Sequence, residues 1–105
     1  MMRAIWFTLS MVLATSLMAD APISDTRQQE LLDFLKQDCG SCHGLTMKGG
    51  LGPALLPESL KGKPMEYLVT TILDGRPGTA MPAWRPLLSP TEAQWIADAL
   101  LQGEW

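Results

Sequence analysis

Three stretches of the chain repeat apolar residues at helical spacing, and turn-forming residues separate them. In the first, Leu31, Leu32, Phe34 and Leu35 make a stripe behind Asp25, which predicts a helix capped by Asp25 with Gln28 in the capping-box position. That helix runs straight into Cys39. The second helix is predicted over about 64–73, with Pro64 at its first position, Leu68, Val69 and Ile72 facing inward, and Gly75 as its stop. The third opens at Ser89-Pro90-Thr91-Glu92, where Ser89 caps, Pro90 takes the first turn and Glu92 closes the box. Trp95, Ile96, Ala99 and Leu100 form its stripe, and Gly103 ends it. One short helical turn is expected near Pro57–Leu60, and Gly- and Pro-rich loops fill the rest. No stretch reads as the strand of a βαβ unit, so the fold class is all-α with three main helices.

A different pattern precedes these helices. Behind Arg3, residues 4–18 are apolar except for Thr8, Ser10, Thr15 and Ser16, and Ala19 and Ala21 follow. A charged start, a short apolar run and small residues predict a secretory signal peptide over 1–19, cut after Ala19. The run is too short and too punctuated for a membrane span, so no stable anchor is expected after processing. Residues 20–105 then make one domain, near the lower size limit for a self-sufficient core. Neither repeats nor a dividing linker are evident.

Charge changes the picture only when divided along the chain, whose net formal charge is −3. Acids outnumber bases in 20–43 and again in 89–105, which carries only Glu92, Asp98 and Glu104. The middle segment is basic, with Lys48, Lys61, Lys63, Arg76 and Arg85 against Glu58, Glu66 and Asp74. Such a division either orients the protein toward a protein partner or is ordinary solvated surface. Nothing in this balance suggests nucleic-acid binding.

The chemistry concentrates in Cys39-Gly40-Ser41-Cys42-His43, which holds both cysteines and the single histidine of the 105 residues. Two cysteines separated by two residues and followed by histidine are the pattern of a c-type haem attachment site. Each sulfur can form a thioether to a haem vinyl group, and the adjacent histidine falls beneath the iron as an axial ligand. Three other readings compete. A thioredoxin-like pair belongs on a strand-to-helix turn, which this pattern lacks. Zinc wants four ligands, usually from two Cys/His pairs. A structural disulfide suits an exported chain but leaves His43 without a purpose. One covalent haem c, held by Cys39 and Cys42 with His43 on its iron, accounts for all three residues, and export fits because haem c is attached outside the cytoplasm in bacteria.

A sixth iron ligand then has to be a methionine. Met1, Met2, Met11 and Met18 fall in the signal peptide, Met47 is too close to His43 to reach the opposite haem face, and Met65 starts a helix. Met81 lies in Gly78-Thr79-Ala80-Met81-Pro82-Ala83-Trp84, a loop long enough to wrap a porphyrin. Pro82 restricts the residue before it to an extended conformation, which orders the thioether in advance. Met81 is accordingly expected as the second axial ligand.

The order of these features resembles the small class I cytochromes c: N-terminal helix, Cys-x-x-Cys-His-Gly, Gly52-Pro53-Ala54-Leu55, a Met-Pro loop and a C-terminal helix. The resemblance implies loops and three main helices wrapped around one covalent haem. It also implies that the Pro53 carbonyl accepts a hydrogen bond from the Nδ1–H of His43, fixing the ring and raising its basicity. Trp84, just past Met81, is placed to cover the haem. Cys-Gly-Ser-Cys-His-Gly-Leu-Thr, together with the segment from Gly75 through Leu87, is further similar to the c55X-type cytochromes encoded with cytochrome cd1 nitrite reductase. That resemblance implies a periplasmic one-electron carrier rather than an enzyme. Its redox partners would be the nitrite reductase or the proteins that mature its haem d1. Two other classes stay open: a haem-based ligand sensor or peroxidase-like enzyme with labile Met81 ligation, and a dithiol oxidoreductase. Arg76 and Arg85 flank the Met81 loop and either serve docking or pair with haem propionates.

Overall fold

A computed structural model describes residues 22–105, and the signal peptide expected over 1–19 lies outside the described residues. The described residues contain helices and loops without a strand, an all-α architecture. Helix α1 spans Asp25–Phe34, a π-helical turn continues it over Leu35–Cys39, and α2 follows over Gly40–His43. The single turn α3 occupies Pro57–Leu60, α4 spans Met65–Asp74 and α5 spans Pro90–Gln102.

The caps differ from the sequence expectation by one residue at two helices. Ser24, not Asp25, caps α1: its backbone is extended and its Oγ accepts from the backbone N–H of Arg27. Asp25 becomes the first helical residue, where a carboxylate still favours the positive end of the helix dipole. Gln28 closes the entry differently, donating through Nε2 to the carbonyl of Ile23 at 3.1 Å. Pro64 stands one position outside α4, as its extended N-cap. At α5 the full capping box is present: Glu92 N donates to Ser89 Oγ at 3.1 Å, and Ser89 N to Glu92 Oε1 at 3.0 Å. Gly103 ends that helix in the left-handed region, where a glycine has no β-carbon to strain.

Leu31 and Leu35 from the first helical segment, Leu68 and Leu73 from α4, and Ala93, Ile96, Ala97 and Leu100 from α5 form the core. Helix α5 packs along α4 and also touches α1 and α3. Ala93, Ala97 and Ala99 let these helices approach closely. On α4, Val69 and Ile72 are only partly buried, whereas Leu73, one residue beyond the expected face, is core. Arg27 fastens the two terminal helices together, donating through Nε to Glu92 and through Nη1 to Glu30 at 2.9 Å. None of the described helices is long and apolar enough to cross a membrane.

Candidate functional site

The first helical segment does not stop at the cysteines but carries them. The π-helical turn adds an extra residue to its turn at Leu35–Cys39, a feature that tends to occur at functional sites. It leaves Cys39 and Cys42 both lining one cavity of about 690 Å³. The two cysteines are free and partly buried. Burial, reinforced by neighbouring Asp38, pushes the Cys39 thiol up to about 11, so it is protonated at neutral pH.

His43 ends α2, and glycines make its surroundings. Gly44 turns the chain at φ +91°, Gly49 N donates back to the His43 carbonyl at 2.8 Å, and Gly52 N donates to the Cys42 carbonyl at 2.7 Å. The chain thereby folds under the imidazole and sets the Pro53 carbonyl 2.7 Å from His43 Nδ1. A carbonyl oxygen only accepts, so Nδ1 carries the proton and Nε2 keeps a free lone pair for a metal. Gly52 is required by the same approach: a β-carbon there would lie 2.7 Å from His43 Cε1.

Another part of the wall comes from the loop after α4. Gly75, at φ +66°, turns the chain so tightly that a β-carbon would lie 2.6 Å from the Met81 carbonyl. Arg76 N donates to that carbonyl at 3.2 Å, closing the loop at its base. Inside it, Thr79 Oγ1 donates to the Arg76 carbonyl at 2.7 Å and accepts from Met81 N at 3.3 Å. Beyond Pro82, Trp84 N and Arg85 N donate to the Ile72 and Leu73 carbonyls at 3.1 and 3.0 Å. The Trp84 ring meets Phe34 edge-on at 5.0 Å between centroids. The loop is thus tied to α4 at both ends.

Cys39, Cys42, His43, Pro53, Met81 and Trp84 all line this one cavity. Met47 and Met65 do not. Met47 is fully buried in the core with φ +59°, its carbonyl accepting from Leu55 N, and Met65 packs at the edge of the core. Among the described residues no three His, Cys, Asp or Glu side chains converge as a group that could hold a metal ion. A porphyrin with two vinyl groups fits these residues. The thiols stand one helical turn apart, the imidazole has its Nε2 free, and Leu68, Ile72, Ile96 and Leu100 supply apolar wall. Sequence reasoning placed Gly75 as the stop of α4, where it stands, but missed its close approach to the Met81 carbonyl and the role of Gly52 as a cradle. Both glycines answer to groups brought against them by the fold, and nothing in their immediate neighbours signals it.

Comparison with known proteins adds four likenesses. Residues 26–98 match the family described as cytochrome c oxidase, cbb3-type, subunit III. Cytochrome c55X of Pseudomonas aeruginosa is 52% identical over 104 residues, covering 97% of this chain and 87% of that protein. Among solved structures, the c-type cytochrome NirC is 58% identical with a TM-score of 0.76, over 77% of this chain and 95% of that one. The dihydro-haem d1 dehydrogenase NirN, in complex with DHE, is 37% identical with a TM-score of 0.63, over 68% of this chain but 15% of its own.

Proposed function

Because the chain belongs to the cytochrome c55X family of c-type cytochromes, which bind haem c covalently, we propose that it is a periplasmic one-electron carrier of denitrification. It serves cytochrome cd1 nitrite reductase or the maturation of that enzyme's haem d1. Cys39 and Cys42 would hold the haem through thioethers, and His43 and Met81 would bind its iron. The observation that carries this reading is the 2.7 Å hydrogen bond from His43 Nδ1 to the Pro53 carbonyl. It fixes the imidazole with Nε2 free, on the same helical segment as two thiols that share its cavity. The likeness to a dihydro-haem d1 dehydrogenase over 68% of this chain supports the association with haem d1.

When bound, haem c supplies a one-electron couple at its iron. The chain's residues hold the geometry around it. Pro53 keeps the His43 ring from rotating and raises its basicity. Thr79 and Arg76 order the loop that presents Met81, and a thioether ligand favours the ferrous state, raising the potential. With His43 and Met81 both holding the iron, no position on it would be left open for substrate. Trp84, braced by Phe34, covers the haem and excludes water from that side.

A deletion strain grown under denitrifying conditions tests the assignment through two readouts, haem d1 content per nitrite reductase and nitrite reduction in whole cells. Loss of haem d1 supports a role in maturation. Normal haem d1 with slow nitrite reduction supports electron delivery. Wild-type values for both would contradict the proposed function.

A further inference from the structure

Arg76 and Arg85 stand on either side of Met81 in sequence, yet their surroundings differ. Arg85 is neutralised by Asp74, with Nη2 2.7 Å from Oδ1. Arg76 lines the cavity and donates instead to the hydroxyl of Tyr67 on α4. Its Cζ lies 5.7 Å from the Tyr67 ring centroid, and Lys63 Nζ lies 5.5 Å from the same centroid. Two cations therefore converge on one ring at the solvent-exposed side of the cavity. Each gains from the face of the ring, but they repel one another.

Among the described residues neither cation meets a carboxylate, since the ion pairs are Arg27–Glu30, Arg27–Glu92 and Arg85–Asp74. Asp38, the one carboxylate on the cavity wall, pairs with neither. The cluster is rich in donors. Arg76 spends one N–H on Tyr67 and keeps others, Lys63 offers its ammonium, and Tyr67, accepting from Arg76, retains its own O–H to give. A planar guanidinium beside an ammonium and a phenol suits a carboxylate. We propose that Arg76, Lys63 and Tyr67 hold the propionate carboxylates of haem c and thereby raise the reduction potential of its iron. Positive charge near the iron disfavours the ferric state, and neutralised propionates no longer favour it.

This rests on haem c occupying the cavity, so a wild-type chain lacking covalent haem would refute that reading first. The test uses the haem-loaded protein alone, titrated spectroscopically at fixed ambient potentials. Arg76→Gln should raise the ferric-to-ferrous ratio roughly three- to tenfold, a tenfold change being about 59 mV for one electron. Lys61→Gln removes the same charge outside the cavity and sets the background shift. Arg76→Lys keeps the charge without the fork and should move the ratio less, which covers poor folding of the glutamine variant. Redox-difference infrared spectra should show the propionate carboxylate stretch displaced in Arg76→Gln and not in Lys61→Gln. If Arg76→Gln matches Lys61→Gln in both measurements, the proposal is overturned, and a slower reaction with an acidic protein partner would then assign the cluster to docking.

Discussion

A β-carbon on Gly52 would lie 2.7 Å from Cε1 and 2.8 Å from Nδ1 of His43. No side chain, however small, fits between the imidazole and the backbone that fixes it. Gly52→Ala must therefore push the ring away from the Pro53 carbonyl or move the loop. The expected cost is about 1–3 kcal/mol of stability, as for other overpacked sites. Loss of the low-spin ferric spectrum should accompany it, and urea denaturation with absorption spectra checks both.

Met81 depends in the same manner on Gly75. Met81→Ala should abolish the near-infrared sulfur-to-iron charge-transfer band expected of the ferric protein. Gly75→Ala should weaken that band while both thioethers remain, because the substitution opens the loop without touching the cysteines. Survival of the band in Met81→Ala, with its loss in Met65→Ala, would transfer the ligand role to Met65.

The covalent attachment has its own test. Acid-acetone extraction should leave the colour with the wild-type protein, whereas the double variant Cys39→Ala/Cys42→Ala should release it to the solvent phase. Colour extracted equally from both proteins would contradict the thioether assignment.

Acid stability should follow Glu92. The Arg27 hydrogen bond, followed by the Ser89 backbone N–H, holds its carboxyl below the usual carboxylate range. A folded value below the unfolded one stabilises the protein fully above the ordinary carboxylate value of about 4.3. That contribution is lost as pH falls through the lowered folded value. Glu92→Gln should cost up to about 1 kcal/mol at neutral pH, since it removes the charge from a partly exposed ion pair with Arg27 while its amide oxygen still accepts the capping-box bond from Ser89 N. The gap between variant and wild type should shrink in urea midpoints measured at about pH 3. A gap that stays constant with pH would remove Glu92 from the acid transition.

Local rules made much of this legible in the sequence. The Ser89–Glu92 box, the Gly103 stop and the cysteine–histidine spacing depend on residues within a few positions of one another, and they stand where the pattern places them. The start of α1 is less determined, because Ser24 and Asp25 are both competent caps. Arg27 bonds Ser24 through its backbone and Glu92, 65 residues away, through its side chain, a pairing no local pattern announces. The π-helical turn at Leu35–Cys39 is equally silent, since its register differs from α-helix by one residue per turn and packing decides between them. Met47 takes a left-handed backbone and becomes fully buried between the turns at Gly44 and Gly49, although nothing in its side chain favours that conformation. Arg76 and Arg85 look equivalent in sequence and are separated only by Asp74, which neutralises one of them.

The reduced absorption spectrum recorded with and without carbon monoxide tests the electron-carrier account most directly. With His43 and Met81 both on the iron, as proposed, a haem held in this cavity would have no coordination position open, so the two spectra should coincide at neutral pH. Rapid formation of a carbon monoxide adduct by the wild-type protein would show an opening iron, the behaviour of a ligand sensor or a peroxidase-like enzyme, and would contradict the account.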